Sequence, residues 1–212
     1  MAGERTNVYV DGFNLYYRLL KDNPARKWTN LVELFRLVLP SNDIRRVRYF
    51  IALVNAWPED PGQPVRQQTY LRALDTLDEV SIHYGNFRPR TKRLRLANPR
   101  PKGPKTALVT YSEEKGSDVN LGSWLLLDAA RNDFDVAVVV SDDSDLLTPV
   151  RMVTTDLHKK VGILNPQQKG ACQLREAATF VRRLRAGPLA GCQFPDEMTD
   201  VNGTFHRPPS WA

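Results

Sequence analysis

The chain has 212 residues, with 30 Lys+Arg against 24 Asp+Glu, a formal net charge of +6 and a pI near 9.4. Its 42% hydrophobic content is enough for a buried core and excludes wholesale disorder, while no apolar run reaches the roughly 18 residues that cross a membrane. The N-terminus MAGERTNVYVDGF has no apolar stretch ahead of a cleavage-like site, and Cys172 and Cys192 are too few for a disulfide framework or a cysteine zinc site, so a cytoplasmic, reducing location is expected.

Asn7–Val10 is a short apolar run ending at Asp11-Gly12, which reads as a buried strand stopping at a turn. Leu31, Leu34, Phe35, Val38 and Leu39 share one helical face, and Pro40 stops that helix. The β-branched and aromatic run Arg46–Val54 predicts a second strand, Leu71, Leu74 and Leu77 a helix, and Val80–Tyr84 a third strand. Residues 88–105, RPRTKRLRLANPRPKGPK, follow with eight basic residues and no acidic one. They exceed the whole net charge, leaving 22 basic against 24 acidic residues elsewhere. Pro89, Pro99, Pro101 and Pro104 exclude a regular helix there and predict an extended insertion, with a hairpin through Arg93–Ala97 and Thr106–Tyr111. Ser117–Ala130 predicts a helix with Ser117 as its N-cap. Val136–Val140 has the pattern of a strand buried on both faces. Leu146, Val150, Val153 and Leu157 mark another helix, and Val161–Leu164 a fifth strand. Leu174, Ala177, Ala178 and Val181 predict a last helix, with Arg182, Arg183 and Arg185 near its C-terminal dipole.

Strands alternating with helices predict an α/β fold with a mostly parallel central sheet and helices on both faces. One domain over 1–186 is expected, with the basic insertion at about 88–105. A C-terminal extension, 187–212, would pack on the domain or at an oligomer interface. Neither glycine-rich nucleotide fingerprint is present, because D-G-F-N follows the first strand.

In an open parallel sheet, ligands bind beyond the carboxyl ends of the strands. The first strand delivers Asp11 there, with Asn14 three residues on, and the Val136–Val140 strand delivers Ser141, Asp142, Asp143, Ser144 and Asp145. Asp118 sits in the first turn of its helix, facing the same edge. An Asp after a strand is often only a helix cap or turn residue. Acids at three separate places on one edge point further, to Asp11, Asp118, Asp143 and Asp145 converging on one patch. Crowded carboxylates repel unless a cation joins them, and oxygen-only ligands select Mg2+ or Mn2+. Such a cation activates water and neutralises charge on a phosphodiester. Asp142 leaves the strand on the side opposite to Asp143, so the two are not expected to share a site.

V-Y-V-D-G-F-N at 8–14, E-K-G-S-D-V-N-L at 114–121 and V-V-S-D-D-S-D-L at 139–146 resemble the NYN domain family of the PIN-like nuclease superfamily. The resemblance runs from about residue 5 to 185. The tail, through Phe194-Pro195, Gly203, Pro209 and Trp211, also resembles that of some bacterial members. It implies a Rossmann-like PIN/NYN fold and metal-dependent cleavage of RNA, single-stranded or structured. Asp11 and Asn14 match the family's first acid and its polar helper, Asp118 the acid of the central helix, and Asp143 and Asp145 the acids after the fourth core strand. Asp11, Asp118, Asp143 and Asp145 would then hold Mg2+ or Mn2+. Ser141 would bind phosphate or fix the loop. The basic insertion has no fixed counterpart in the family, and on charge alone Arg88, Arg90, Lys92, Arg93 and Arg95 would hold the rest of the strand. No membrane partner is expected, and PIN-like domains often form homodimers. The competing expectation is a PIN-like module that binds RNA or protein without cutting. A phosphatase of the haloacid dehalogenase type fits poorly, because Phe13 stands where that chemistry needs a second Asp. Trp124 is expected in the core rather than as a base-stacking platform, Tyr16 and Tyr17 either border the cleft or pack into the fold, and Phe87, following a strand, is a candidate stacking ring for bound RNA.

Overall fold

Thr6 to Asp11 are all buried, so the first strand has no solvent face and belongs in the middle of a sheet. The computed structural model describes residues 3–167 and 172–212. In chain order its elements are β1 (Glu4–Asp11), α1 (Gly12–Leu15, continued by a π-helical turn Tyr16–Leu20), α2 (Leu31–Val38), β2 (Asn42–Ala52), α3 (Gln63–Leu74), β3 (Val80–Arg95), β4 (Thr106–Lys115), α4 (Ser117–Ala130), β5 (Val136–Val140), α5 (Leu147–Thr155), β6 (Lys160–Asn165), α6 (Cys172–Ala177), β7 (Phe180–Arg183), α7 (Gly187–Ala190), β8 (Glu197–Asp200) and β9 (Gly203–His206). Seven strands form one sheet in the order β4-β3-β2-β1-β5-β6-β7, parallel except for the antiparallel β3–β4 pair. This is the Rossmann-like PIN/NYN arrangement. The strand order reverses at β1, which opens a crevice at the carboxyl ends of β1 and β5.

Alternation along β1 assigns the two cores. Val8 and Val10 join a cluster with Leu31, Phe35 and Tyr70, while Tyr9 joins the cluster of Leu121, Leu125 and Val150 on the other face. That second layer contains a buried ionic network. Arg48 donates Nε and Nη2 to Asp128 at 2.7 and 2.9 Å, and the Tyr9 hydroxyl donates to Asp128 at 2.8 Å. The Arg48 guanidinium lies 3.9 Å from the Trp124 ring centroid and Nη1 stands 3.2 Å from His83 Nε2. Burial, then the Arg48 charge, hold His83 down to about 4, so a neutral imidazole accepts from the guanidinium. Trp124 packs against the core here.

Several expectations change. β3 does not stop at Tyr84 but runs to Arg95, so the basic segment is most of the first strand, and the connecting loop, of a hairpin whose pairing begins at Asn86–Lys115 and ends at Arg95–Thr106. Ser117 is not the cap of α4. Gly116, at φ 102°, makes that turn, and the Ser117 hydroxyl donates to Glu114 Oε1 at 2.8 Å. The last helix ends at Ala177, and Val181, Arg182 and Arg183 lie on β7. The edge beside β6 prevailed over helical spacing there: Gly162 has no Cβ, and the Phe180 ring occupies the space one would fill. Residues 187–212 carry α7, the β8–β9 hairpin and a 3-10 turn, Pro209–Trp211. Phe194, Phe205 and Trp211 surround the fully buried Trp28 at ring distances of 5.7, 6.5 and 6.3 Å. Among the described residues no helix is long and apolar enough to cross a membrane.

Candidate functional site

Two strand ends build the crevice. Asp11 closes β1 and caps α1, its Oδ1 accepting from the Asn14 backbone N–H at 2.9 Å. The chain must turn hard against β2 here. A Cβ on residue 12 would come within 2.8 Å of the Phe50 carbonyl oxygen, so glycine is required. Asp11 Oδ2 accepts from the Ser141 hydroxyl at 3.0 Å, and that hydroxyl accepts from the Asp143 N–H at 3.1 Å. Ser141 is fully buried and thereby locks the two acidic turns together. Asp143 Oδ1 in turn accepts from the Asp145 N–H at 2.9 Å. For Asp11 and Asp143, capping and display at the crevice are therefore the same arrangement.

Asp11, Asn14, Asp118 and Asp143 line one open cleft of about 490 Å3, together with Glu114, Ser112, Phe87 and Tyr17. Asp145 faces an adjoining cleft of about 440 Å3, on whose wall Asp118 and Glu114 also lie. The carboxylates feel one another. Burial, then the charges of Asp11, Asp143, Glu114 and Asp145, push Asp118 up to about 6. Burial also raises Asp11, with Asp143 and Glu114 adding to it against the hydrogen bonds from Asn14 and Ser141. Among the described residues no three acidic, histidine or cysteine side chains already form a ready-made cation cage. Two buried oxygens in the cleft wall, Asn14 Oδ1 and Ser112 Oγ, have no hydrogen-bond partner among the described residues.

Glu114 is the residue that motif spacing did not single out. It sits on β4, where Oε1 accepts from the Ser117 N–H and hydroxyl at 3.1 and 2.8 Å. Gly85 on β3 makes room for it, since a Cβ there would stand 2.5 Å from Glu114 Oε1. Asp142 does not join the acidic cleft. Its side chain is 6% exposed, accepts from Asn14 Nδ2 at 2.6 Å and pairs with Arg18 at 3.5 Å. Because a carboxylate only accepts, this bond fixes the Asn14 amide with Nδ2 toward Asp142 and leaves Oδ1 free.

The five basic residues of the insertion divide by face. Directly paired residues of an antiparallel ladder share a face. Arg93 pairs with Leu108 and Arg95 with Thr106, on the face of the Phe87–Glu114 pair, which leads into the acidic cleft. Arg88, Arg90 and Lys92 occupy the opposite face, where Glu113 stands 3.9 Å from Arg90. All five are exposed. Tyr17 borders the acidic cleft, whereas Tyr16 turns into a separate cavity.

The NYN domain family matches residues 5–184. A curated relative, the 6-hydroxy-3-succinoylpyridine 3-monooxygenase HspA of Pseudomonas putida (strain DSM 28022 / S16), is 28% identical over 236 residues, which cover 98% of this chain and 75% of the relative. Among solved structures, VPA0982 from Vibrio parahaemolyticus RIMD 2210633, a protein of unknown function, superposes with a TM-score of 0.53 at 15% identity, covering 86% of this chain and 94% of the other. At that identity the likeness concerns the fold alone.

Proposed function

Because the chain belongs to the NYN domain family, and that membership implies a PIN-like nuclease domain, we propose that it is a cytoplasmic, Mg2+- or Mn2+-dependent ribonuclease. One observation carries the reading: acids from β1, β4, α4 and the turn after β5 face one cleft where the strand order reverses, and their charges add to the burial that pushes Asp118 up to about 6. The donor set is oxygen-only, which suits a hard cation. Asp11, Asp118, Asp143 and Glu114 would hold it, with Asp145 reaching in from the adjoining cleft. A bound cation supplies Lewis-acid stabilisation of the phosphoryl oxygens and lowers the pKa of water. The chain's own residues do the rest. Ser141 sets the spacing of Asp11 and Asp143. Asn14, held by its bond to Asp142, fixes the turn that carries Asp11. Phe87 offers a ring edge for a base.

Removing one acid relieves the cost of burying its charge and its repulsion by the neighbouring carboxylates. Asp118→Asn is expected to stabilise the metal-free protein by about 1 kcal/mol at pH 7.5, after discounting for the exposed half of the carboxyl, and so to raise Tm by about 2–4 °C. The same variant is expected to lose the Tm increase that Mn2+ gives the wild type by linkage. A wild type whose melting is indifferent to Mn2+ would instead support the binding-only alternative.

The hairpin should track the RNA backbone. Arg93 is six residues beyond Phe87, about 20 Å along an extended strand, a span of several nucleotides. If Arg93 and Arg95 each neutralise one phosphate, Arg93→Gln/Arg95→Gln lowers the salt slope of binding by about 1.4, at roughly 0.7 per contact. Arg88→Gln/Arg90→Gln, on the far face, is expected to change it less. Equal effects from both pairs, measured by fluorescence anisotropy across salt concentrations, would remove the face assignment.

A second reading has one observation in its favour. The similarity to the Pseudomonas putida monooxygenase spans 98% of this chain, so it extends past residue 184 into the tail. In that reading the chain acts on a small heteroaromatic compound. A protein inert toward RNA in Mn2+ would leave this reading as the stronger.

A further inference from the structure

Beside the acidic cleft, and separated from it by Phe13 and Tyr17, lies a second cavity of about 120 Å3. Its other walls include Tyr16, Tyr49, Tyr70 and Trp211. These come from the π-helical turn after α1, from β2, from α3 and from the end of the tail. The walls are rigid. Tyr70 donates its hydroxyl to the Thr29 carbonyl at 2.9 Å, and its ring meets those of Tyr49 and Trp211 at 6.4 and 6.3 Å. The volume is close to the ~150 Å3 of cavities known to take one benzene ring, and aromatic walls favour a flat guest.

The polar side of the cavity is cationic. Lys27 and Arg66 both face it, with Asp60 as the one carboxylate among the lining residues. Asp60 is already paired with Arg66. Among the described residues no carboxylate lies within 4 Å of Lys27 Nζ, which instead sits 5.4 Å from the Tyr16 ring centroid. Burial, then the neighbouring Arg66 charge, lower the Lys27 pKa, and an anion between the two cations would relieve both costs. No step of the proposed nuclease chemistry uses Lys27, Arg66 or Trp211.

We propose that this cavity is a binding site for a single planar aromatic ring carrying an anionic group, the ring lying against Tyr16, Tyr70 and Trp211 and the anion on Lys27. Two sources supply that chemistry: a free aromatic carboxylic acid, and a pyrimidine nucleotide of a strand lying across the shared Phe13–Tyr17 wall. The site stands on its own residues and does not depend on whether the acidic cleft cuts RNA.

Isothermal titration of the full-length chain with benzoate and with uridine 5′-monophosphate tests it. At least one is expected to bind with a Kd on the order of 1 mM or tighter, a reach consistent with so small a ligand. Tighter binding of benzoate identifies the free acid, and tighter binding of the nucleotide identifies the strand. Benzyl alcohol and inorganic phosphate, which carry only the ring or only the charge, are expected to bind at least 10-fold more weakly. Lys27→Met is expected to weaken the anionic probes at least 10-fold and to leave benzyl alcohol unchanged. The Trp211 indole resonance of the wild-type protein is expected to move with the bound probe, a readout that needs no variant to fold. Failure of both probes to bind at 10-fold above the expected Kd (~10 mM), an unmoved Trp211 resonance, or undiminished binding in Lys27→Met overturns the proposal.

Discussion

Asp143→Asn is expected to lower the rate of RNA cleavage in Mn2+ by at least about 100-fold, more than the 10–100-fold typical of residues that only orient metal ligands. The substitution is mild for the fold. Asp143 uses Oδ1 to accept from the Asp145 N–H at 2.9 Å, and its own N–H donates to Ser141 at 3.1 Å. An asparagine keeps both bonds, because its carbonyl oxygen accepts as the carboxylate did. What it loses is one negative charge in a cleft where the acids raise one another's pKa. The expected result is therefore a protein that melts at or slightly above the wild-type temperature and does not cut. The check is the initial cleavage rate of a 5′-labelled RNA, with wild type and variant purified identically. Cleavage at the wild-type rate by the variant would place the activity elsewhere.

The largest stability effect is expected far from the cleft. Asp128 is fully buried and Arg48 is 4% exposed, and Asp128 accepts three hydrogen bonds, two from Arg48 and one from Tyr9. Asp128→Ala leaves a buried guanidinium without its counter-charge and a buried hydroxyl without an acceptor. His83, neutral beside that guanidinium, offers no negative charge in exchange. Breaking a buried pair in this way costs about 3–5 kcal/mol, a Tm fall on the order of 10 °C for a chain of this size. The double variant Arg48→Met/Asp128→Leu removes both charges and is expected to recover most of the loss, since replacing a buried pair by apolar groups is often near neutral. Urea denaturation of both variants separates the two cases. A cost below about 1 kcal/mol for Asp128→Ala would mean that water reaches Arg48 in the folded protein.

The centre of the fold and half of the site are legible in the chain. β5 is an uninterrupted apolar run leading into the Ser141–Asp145 turn, and β1 closes on the apolar stretch Val8–Val10 ahead of Asp11, which marks both as central strands with acids beyond their ends. Glu114 is harder to find, because its place depends on the register of the β3–β4 hairpin, which neither strand's own pattern states. A signal did exist: Gly85 interrupts a β-forming run, and a glycine inside a strand marks close approach by another group, here the Glu114 carboxylate. The same register divides the basic residues between two faces, a distinction that charge density along the chain cannot express. The helix expected through Val181 failed for a tertiary reason, since the open edge of β6 accepts Phe180–Arg183 as a strand. The role of Trp211 is non-local, set by packing against Trp28 and Tyr70 across more than a hundred residues of chain.

The central claim is that the acids of β1, β4, α4 and the turn after β5 form one divalent-cation site. Anomalous diffraction from a crystal soaked in Mn2+ tests it most directly. The account predicts a peak in the cleft at the strand-order reversal, bound by carboxylate oxygens of Asp11 and Asp143 with Asp118 or Glu114 beside it. A well-ordered cleft with no anomalous peak at millimolar Mn2+, or a peak held only by residues outside it, would contradict it.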